Sequence, residues 1–434
     1  MRRDHALLSG TRILEAGESS YRALAGEVET VLREDVLEVW FPRCVNSKTG
    51  GFFSSYLRDW QRGTSEGYFS VFQARMLWVA AQVSRCRLER AEDFLEALQH
   101  GVKFLNDLLW DSECGGFFWG LNDGRKVSSL YTDGKHLYGQ SFCIYALAAA
   151  YQTTHDATVL DLALRAFHWI DAHAHDKQSG GYFEWLTRDG QVVKTKSAAA
   201  SAGEVPVARF PIGYKSMNTH IHLLEAFTAL YRIWPDKELR TRVEELLVLV
   251  RDRICVEPGV MSLYFTENWR PIPGNDSYGH DIETAYLLIE AEEVLGLERM
   301  PETERMCKLL VDHALAYGWD RELGGFYQSG PAIGEATDRR KEWWVQMEGL
   351  NALLLMHERH GRQDKSYFSD FVRQWEFVRI YLRDAENHGF YEMVGADGRP
   401  LLTAKGRIWK CAYHDTRALL NVSARLHELA RTGA

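Results

Sequence analysis

Apolar residues along this chain recur with a helical period, broken at intervals by a short aromatic cluster. From Leu95 to Leu105 they keep the spacing of one helix face, and the run extends to Trp110-Asp111. Gly115-Gly116-Phe117-Phe118-Trp119 follows, with the turn Asn122-Asp123-Gly124 close behind. Asp-Gly between aromatic or branched residues predicts a β-hairpin, because glycine tolerates positive φ. A second helical stretch opens at His136 and runs through Tyr151. The predicted unit is therefore helix, short hairpin, helix.

The unit recurs. Gly-Gly followed by two aromatics stands at Gly50–Phe53, Gly115–Phe118, Gly180–Phe183 and Gly324–Tyr327, with a worn copy at Gly389–Tyr391. The step is about 65 residues, and a further copy, Gly259–Phe265, falls in the wide gap, which makes six units. Asp189-Gly190 and Asp397-Gly398 place the same turn after two other copies. The second helix of each unit is the less charged, as in Asp281–Leu295 and Val345–Met356. A helix apolar on most faces is a buried helix. Second helices thus form an inner ring and first helices an outer ring. The expected fold is all-α, an (α/α)6 barrel with short β-hairpins at one end, formed by residues 1–434 as one domain; the alternative is an open superhelix. Two segments break the rhythm, Lys194–Met217 and Pro331–Lys341, and read as loops over one end of the barrel, the longer a candidate lid.

Hydrophobic content of 46% and 26% charged residues are those of a globular chain. The net charge of −9 disfavours nucleic acid and anionic membranes as partners. No stretch approaches a membrane span, and the first twenty or so residues carry no apolar core of signal-peptide type. The seven cysteines are scattered without a CxxC pair. Together these predict a cytoplasmic protein with reduced thiols, monomeric or homodimeric.

Unusual polar and aromatic residues cluster near the start of each inner helix. They include Arg75, Tyr138, Asn218 with His222, His280 with Glu283, Trp344 with Glu348, and Trp409 with His414. Groups at one phase of a closed repeat must meet at one end of its axis, in a small-molecule cavity. Asn218 and His222 are four apart, as are Trp344 and Glu348, so each pair shares a helix face; His220 faces away from His222. His280 and Glu283 are three apart, a spacing at which a carboxylate can hold an imidazole in one tautomer. Aromatic planes with Arg, Asn and Glu suit a sugar, and histidines suit proton transfer near neutral pH. Glu283 and Glu348 could instead form the carboxylate pair of a glycoside hydrolase. The histidines lack a compact metal-ligand pattern, so no metal is expected.

At these residues the chain resembles the N-acylglucosamine 2-epimerase superfamily, which includes cellobiose and mannose 2-epimerases and mannose isomerases. KSMNTHIHLLEA (215–226), SYGHDIE (277–283), WWVQME (343–348) and WKCAYH (409–414) carry the resemblance, which covers nearly the whole chain. It implies an (α/α)6 fold and C2 epimerisation of a reducing sugar through a cis-enediolate, without cofactor. His280 and His414 match the acid/base pair, and His222 a third essential histidine. Arg75, Tyr138 and Asn218 match groups that bind the open chain, Glu283 and Glu348 match carboxylates supporting the histidines, and Trp344 and Trp409 match stacking aromatics. Tyr286, where cellobiose epimerases carry Trp, and the segment Trp40–Trp60 point to free mannose and glucose as substrates, with cellobiose or an aldose–ketose conversion as alternatives. Animal relatives described as protein-binding factors supply a non-enzymatic alternative.

Overall fold

The computed structural model describes residues 14–86, 91–126, 134–194 and 215–433. Its helices alternate between two rings. They are α1 (Glu18–Val31), α2 (Ser70–Arg85), α3 (Ala91–Phe104), α4 (Leu137–Thr154), α5 (Ala157–Ala174) and α6 (Met217–Ile233). They continue as α7 (Lys237–Leu249), α8 (Tyr278–Val294), α9 (Pro301–Tyr317), α10 (Trp343–His360), α11 (Ser366–Phe377) and α12 (Tyr413–Thr432). The even-numbered helices form the inner ring, each touching the next, and α12 returns to α2. The odd-numbered helices lie outside. Burial follows the prediction: α4 is buried along its first fourteen residues, whereas α7 buries only Leu239, Val243, Leu246 and Leu247.

One feature of the packing differs from the unit read in the sequence. Each outer helix lies on the inner helix that precedes it, α3 on α2 and α5 on α4, rather than on the one that follows. The first helix therefore has no predecessor and packs on the last, α1 on α12. That contact closes the barrel and excludes the open superhelix. The hairpins close a second ring at one end. The residues just before an inner helix pair antiparallel with the next hairpin: Tyr68 with Leu121, His136 with Trp185, Ser216 with Tyr264 and Glu342 with Met393. Single bridges complete the circle, Asp276 with Gly330 and Gly406 with Tyr56. The copy at Gly259–Phe265 is present as a tighter hairpin, Cys255 opposite Met261. Segment 331–341 is a hairpin tip, with Asp338 bridged to Ser329. Of the predicted long loop Lys194–Met217, residues 195–214 lie outside the described ones.

Two buried ties fasten hairpins to helices. A lysine two residues before the helix places its ammonium between a hairpin aspartate and a glycine carbonyl. Lys215 Nζ is 2.7 Å from Asp176 and 2.6 Å from Gly180 O; Lys341 is 2.7 Å from both Asp320 and Gly324 O. Lys135 does the same for Asp111 and Gly115. The second tie comes from the fourth residue of the helix. Gln73, Gln140 and Gln346 each bond both the N–H and the C=O of the first hairpin aromatic, Phe52, Phe117 and Phe326. His220 holds that place in α6 and accepts from Tyr182 N–H at 3.0 Å, so it does face away from His222. The paired glycines permit this approach: Gly181 has φ +71°, and a Cβ there would lie 2.7 Å from His220 Nε2.

Removing one partner of a buried ion pair strands the other charge, at a cost of about 3 kcal/mol or more. Lys341→Met should therefore lose about 3 kcal/mol in urea unfolding, since Asp320 is only 5% exposed. A midpoint equal to wild type would show that the lysine ties contribute nothing.

Candidate active site

All six inner helices begin at the hairpin end, so their N-termini surround the axis there. Within the first two turns of each helix the axis-facing side chains enclose a cavity of about 260 Å³. Nine of the ten residues singled out in the sequence line it: Arg75, Tyr138, Asn218, His222, His280, Glu283, Trp344, Trp409 and His414. Glu348 stands directly behind, with Oε1 2.7 Å from His414 Nδ1. Gln328, Glu342 and Trp343 complete the wall. A larger groove of about 660 Å³ lies on the outer wall between α3 and α5, lined by Leu98, Val102, Asp161 and Arg165 and devoid of histidine. The residues singled out in the sequence gather at the smaller cavity, and none of them lines the groove.

Three histidines present a ring nitrogen to it. His222 Nδ1 is 2.8 Å from Glu225 Oε2, and His414 Nδ1 2.7 Å from Glu348 Oε1. A carboxylate only accepts, so each Nδ1 carries a hydrogen, and in a neutral ring Nε2 is then the lone-pair nitrogen. His280 Nδ1 lies 2.7 Å from Ser277 Oγ, a hydroxyl that can donate or accept. Trp344 packs at a tilt against two of the rings, its centroid 4.8 Å from that of His280 and 5.6 Å from that of His414. Gly279 makes room for this indole, because a Cβ there would lie 2.6 Å from Trp344.

The sequence placed Glu283 beside His280; the fold gives it a different partner. Glu283 Oε1 pairs with Arg417, which also bonds Glu225, Glu348 at 2.6 Å and the Tyr413 hydroxyl at 2.7 Å. A full guanidinium charge outcompetes a neutral imidazole for the carboxylate. Arg417, Glu225, Tyr413 and Ser277 were not picked out by sequence reasoning. Two of them carried a usable signal: Glu225 follows His222, and Arg417 follows His414, by the same three residues that linked His280 to Glu283.

Burial sets the protonation states. It lowers His280 to about 4 against the pull of Glu283, and it lowers His414 well below the ordinary imidazole value, helped by Arg75. Both rings are neutral at pH 7. Glu225 is also buried, yet Arg417 and the bonds from His222 and Tyr413 hold it down at about 2. Glu348 meets the same arginine but shifts upward, because burial dominates and its Oε2 has no hydrogen-bond partner. At the mouth, burial and neighbouring Glu392 raise Glu342 to about 7. Arg75 is buried without a carboxylate partner among the described residues; it bonds Tyr138 Oη at 2.9 Å and lies 4.2 Å from the Phe142 ring. With Asn218 Oδ1 also unpartnered, the wall offers a cation and an amide to an oxygen-rich ligand.

The sequence profile of the N-acylglucosamine 2-epimerase (GlcNAc 2-epimerase) family matches residues 51–418. The cellobiose 2-epimerase of Bacteroides fragilis is 30% identical over 403 residues, which span 92% of this chain and 98% of that one. The D-mannose isomerase of Marinomonas mediterranea is 22% identical over 410 residues, 90% of this chain and 94% of its own. The solved structure of cellobiose 2-epimerase from Spirochaeta thermophila superposes with a TM-score of 0.81 at 28% identity, covering 95% and 98% of the two chains. A family 76 α-mannanase from Bacteroides thetaiotaomicron, at 12% identity and TM-score 0.59, shares the fold alone.

Because burial lowers His280 to about 4, its basic form persists well below the usual imidazole range near 6.5. The acid limb of a kcat/KM profile for sugar turnover is expected between about pH 4 and 5, on protein shown to be folded there by circular dichroism. An acid limb centred near pH 6.5 would contradict the burial of this ring.

Proposed function

This chain belongs to the N-acylglucosamine 2-epimerase family of carbohydrate epimerases and isomerases, and from that premise we propose that it interconverts gluco- and manno-configured reducing sugars at C2. The observation that carries the reading is the pair of neutral imidazoles, half-buried His280 and buried His414, on one cavity and in contact with one indole.

The carbonyl of the open-chain sugar acidifies the C2 hydrogen. One of the two histidines removes that proton as a base and becomes imidazolium, giving a cis-enediolate; the other, protonated from solvent once the negative charge raises its basicity, gives its proton to the opposite face of C2, and exchange with water then returns both rings to neutral. Glu348 behind His414 stabilises the imidazolium formed whenever Nε2 takes a proton. Arg75 and the hydroxyl of Tyr138, whose pKa burial raises to about 12, donate toward the enediolate oxygens. Six inner-helix N-termini aimed at the cavity favour the same negative charge. His222 and Asn218 hold the O1/O2 region during ring opening, while Trp344 and Trp409 stack on the apolar sugar faces.

Free mannose and glucose fit best, since about 260 Å³ lies below the roughly 300–1,000 Å³ of cavities for larger ligands. Cellobiose is the second reading, favoured by the cellobiose 2-epimerases among the relatives. It would place one ring in the cavity and the other beyond Gln328 and Glu342.

Incubation with mannose, glucose and cellobiose in D2O tests both levels of the proposal. Deuterium should appear at C2 of the epimer, and the sugar that turns over names the substrate. Label at C1 of a ketose without C2 inversion would mark an isomerase instead. His280→Ala and His414→Ala should each lower turnover at least about 10³-fold while the circular dichroism stays native. Near-full activity in either variant would remove that residue from the acid/base pair.

A further inference from the structure

The repeat supplies an internal standard for its own fourth unit. Where other units hold a lysine two residues before the inner helix, this one holds Asp276; where α4 and α10 hold the glutamine tie, α8 holds Asp281. The fourth hairpin has no aspartate to match, with Val256 in that place. Both carboxylates are buried, Asp276 at 4% and Asp281 at 0% exposure. No lysine or arginine pairs with either among the described residues.

His313 of α9, 3% exposed, turns into the same spot. Its Nε2 lies 2.6 Å from the Ala332 carbonyl oxygen, which only accepts, so that nitrogen carries the hydrogen. In the neutral ring Nδ1 is then an acceptor, 3.4 Å from Asp276 Oδ2, which is another acceptor. Neither oxygen of Asp281, nor Oδ2 of Asp276, nor Nδ1 of His313 has a hydrogen-bond partner. Buried lone pairs that converge with no donor from another residue require a shared proton or a cation between them.

We propose that Asp276, Asp281 and His313 form a structural site for a divalent transition cation such as Zn²⁺ or Mn²⁺, which takes the place of the ammonium found in the sister units. Two carboxylates and an imidazole are donors suited to these ions. One ligand atom from each residue lies within 4.8 Å of the others. Donors about 2.1 Å from a tetrahedral ion stand roughly 3.4 Å apart, which the His313–Asp276 gap already meets. The remaining contraction draws Asp281 toward α9. None of the three residues lines the sugar cavity. They flank it in sequence, however: Asp276 precedes Ser277, whose hydroxyl meets His280, and Asp281 follows His280. An ion there would pin the first turn of α8, and through Ala332 the hairpin tip at 331–338.

The test uses untagged full-length protein stripped with a chelator, equilibrated with Zn²⁺ or Mn²⁺ alone and desalted. Elemental analysis should find about one equivalent per chain. Tm should rise with free cation in the stepless manner of one-site linkage. Asp281→Asn and His313→Ala should each lose the bound equivalent and the Tm response. Uptake no greater than in those variants overturns the proposal. So does a metal-free Asp281→Asn whose Tm exceeds that of metal-free wild type without any cation response, because shared protons would then satisfy the cluster. Neither readout depends on turnover, so the outcome is independent of the epimerase assignment.

Discussion

The tie that binds a hairpin to the helix after it, made at α2, α4, α6 and α10, governs the geometry of everything else. Gln73, Gln140, His220 and Gln346 occupy the fourth position of their helices and point outward to the hairpin backbone. In a helix of 3.6 residues per turn, the second and sixth positions lie about 200° away from the fourth. Bonding the fourth residue to the hairpin therefore turns the second and sixth toward the axis. Those positions are Tyr138, Asn218 with His222, Glu283, Trp344 with Glu348, Arg75 and His414. One polar contact, repeated, sets the rotation of several helices and so gathers the cavity wall. The lysine–aspartate pairs set the height at which α4, α6 and α10 start.

Inside that frame the charges form a connected system rather than separate pairs. Arg417 joins the carboxylate behind His222 to the carboxylate behind His414, and takes Glu283 as well. One arginine meets three carboxylates, with Tyr413 and the imidazoles of His222 and His414 completing the hydrogen bonds. In so dry a place each group matters to its neighbours, because an unpartnered charge has no water to fall back on. Burial favours the neutral rings of His280 and His414, and negative charge on a ligand in the cavity would shift that balance toward imidazolium.

Much of this could be read from the chain. The Gly-Gly-aromatic step gave the repeat, and the drop in charge from α7-like to α4-like helices gave the two rings. Nine cavity residues were legible because they share a phase with the repeat. Partnership was not. The three-residue spacing of His280 and Glu283 is geometrically sound, yet spacing along one helix cannot reveal that Arg417 arrives from another. The glutamines were visible within the same motifs, but their outward role follows only once the hairpin backbone is in place. The pairing of α1 with α12 joins the two ends of the chain, and no local pattern announces it.

That last contact bears on how the protein comes into being. His414 rides on α12, and α12 is complete only when residue 432 has left the ribosome. Until then α2 and α10 lack the neighbour that separates them, and α1 has no surface of its own to cover. Contacts this distant in sequence form late and slowly. A nascent chain thus holds a broken ring with its apolar inner faces open, and competence for catalysis arrives in a single late step rather than growing with length.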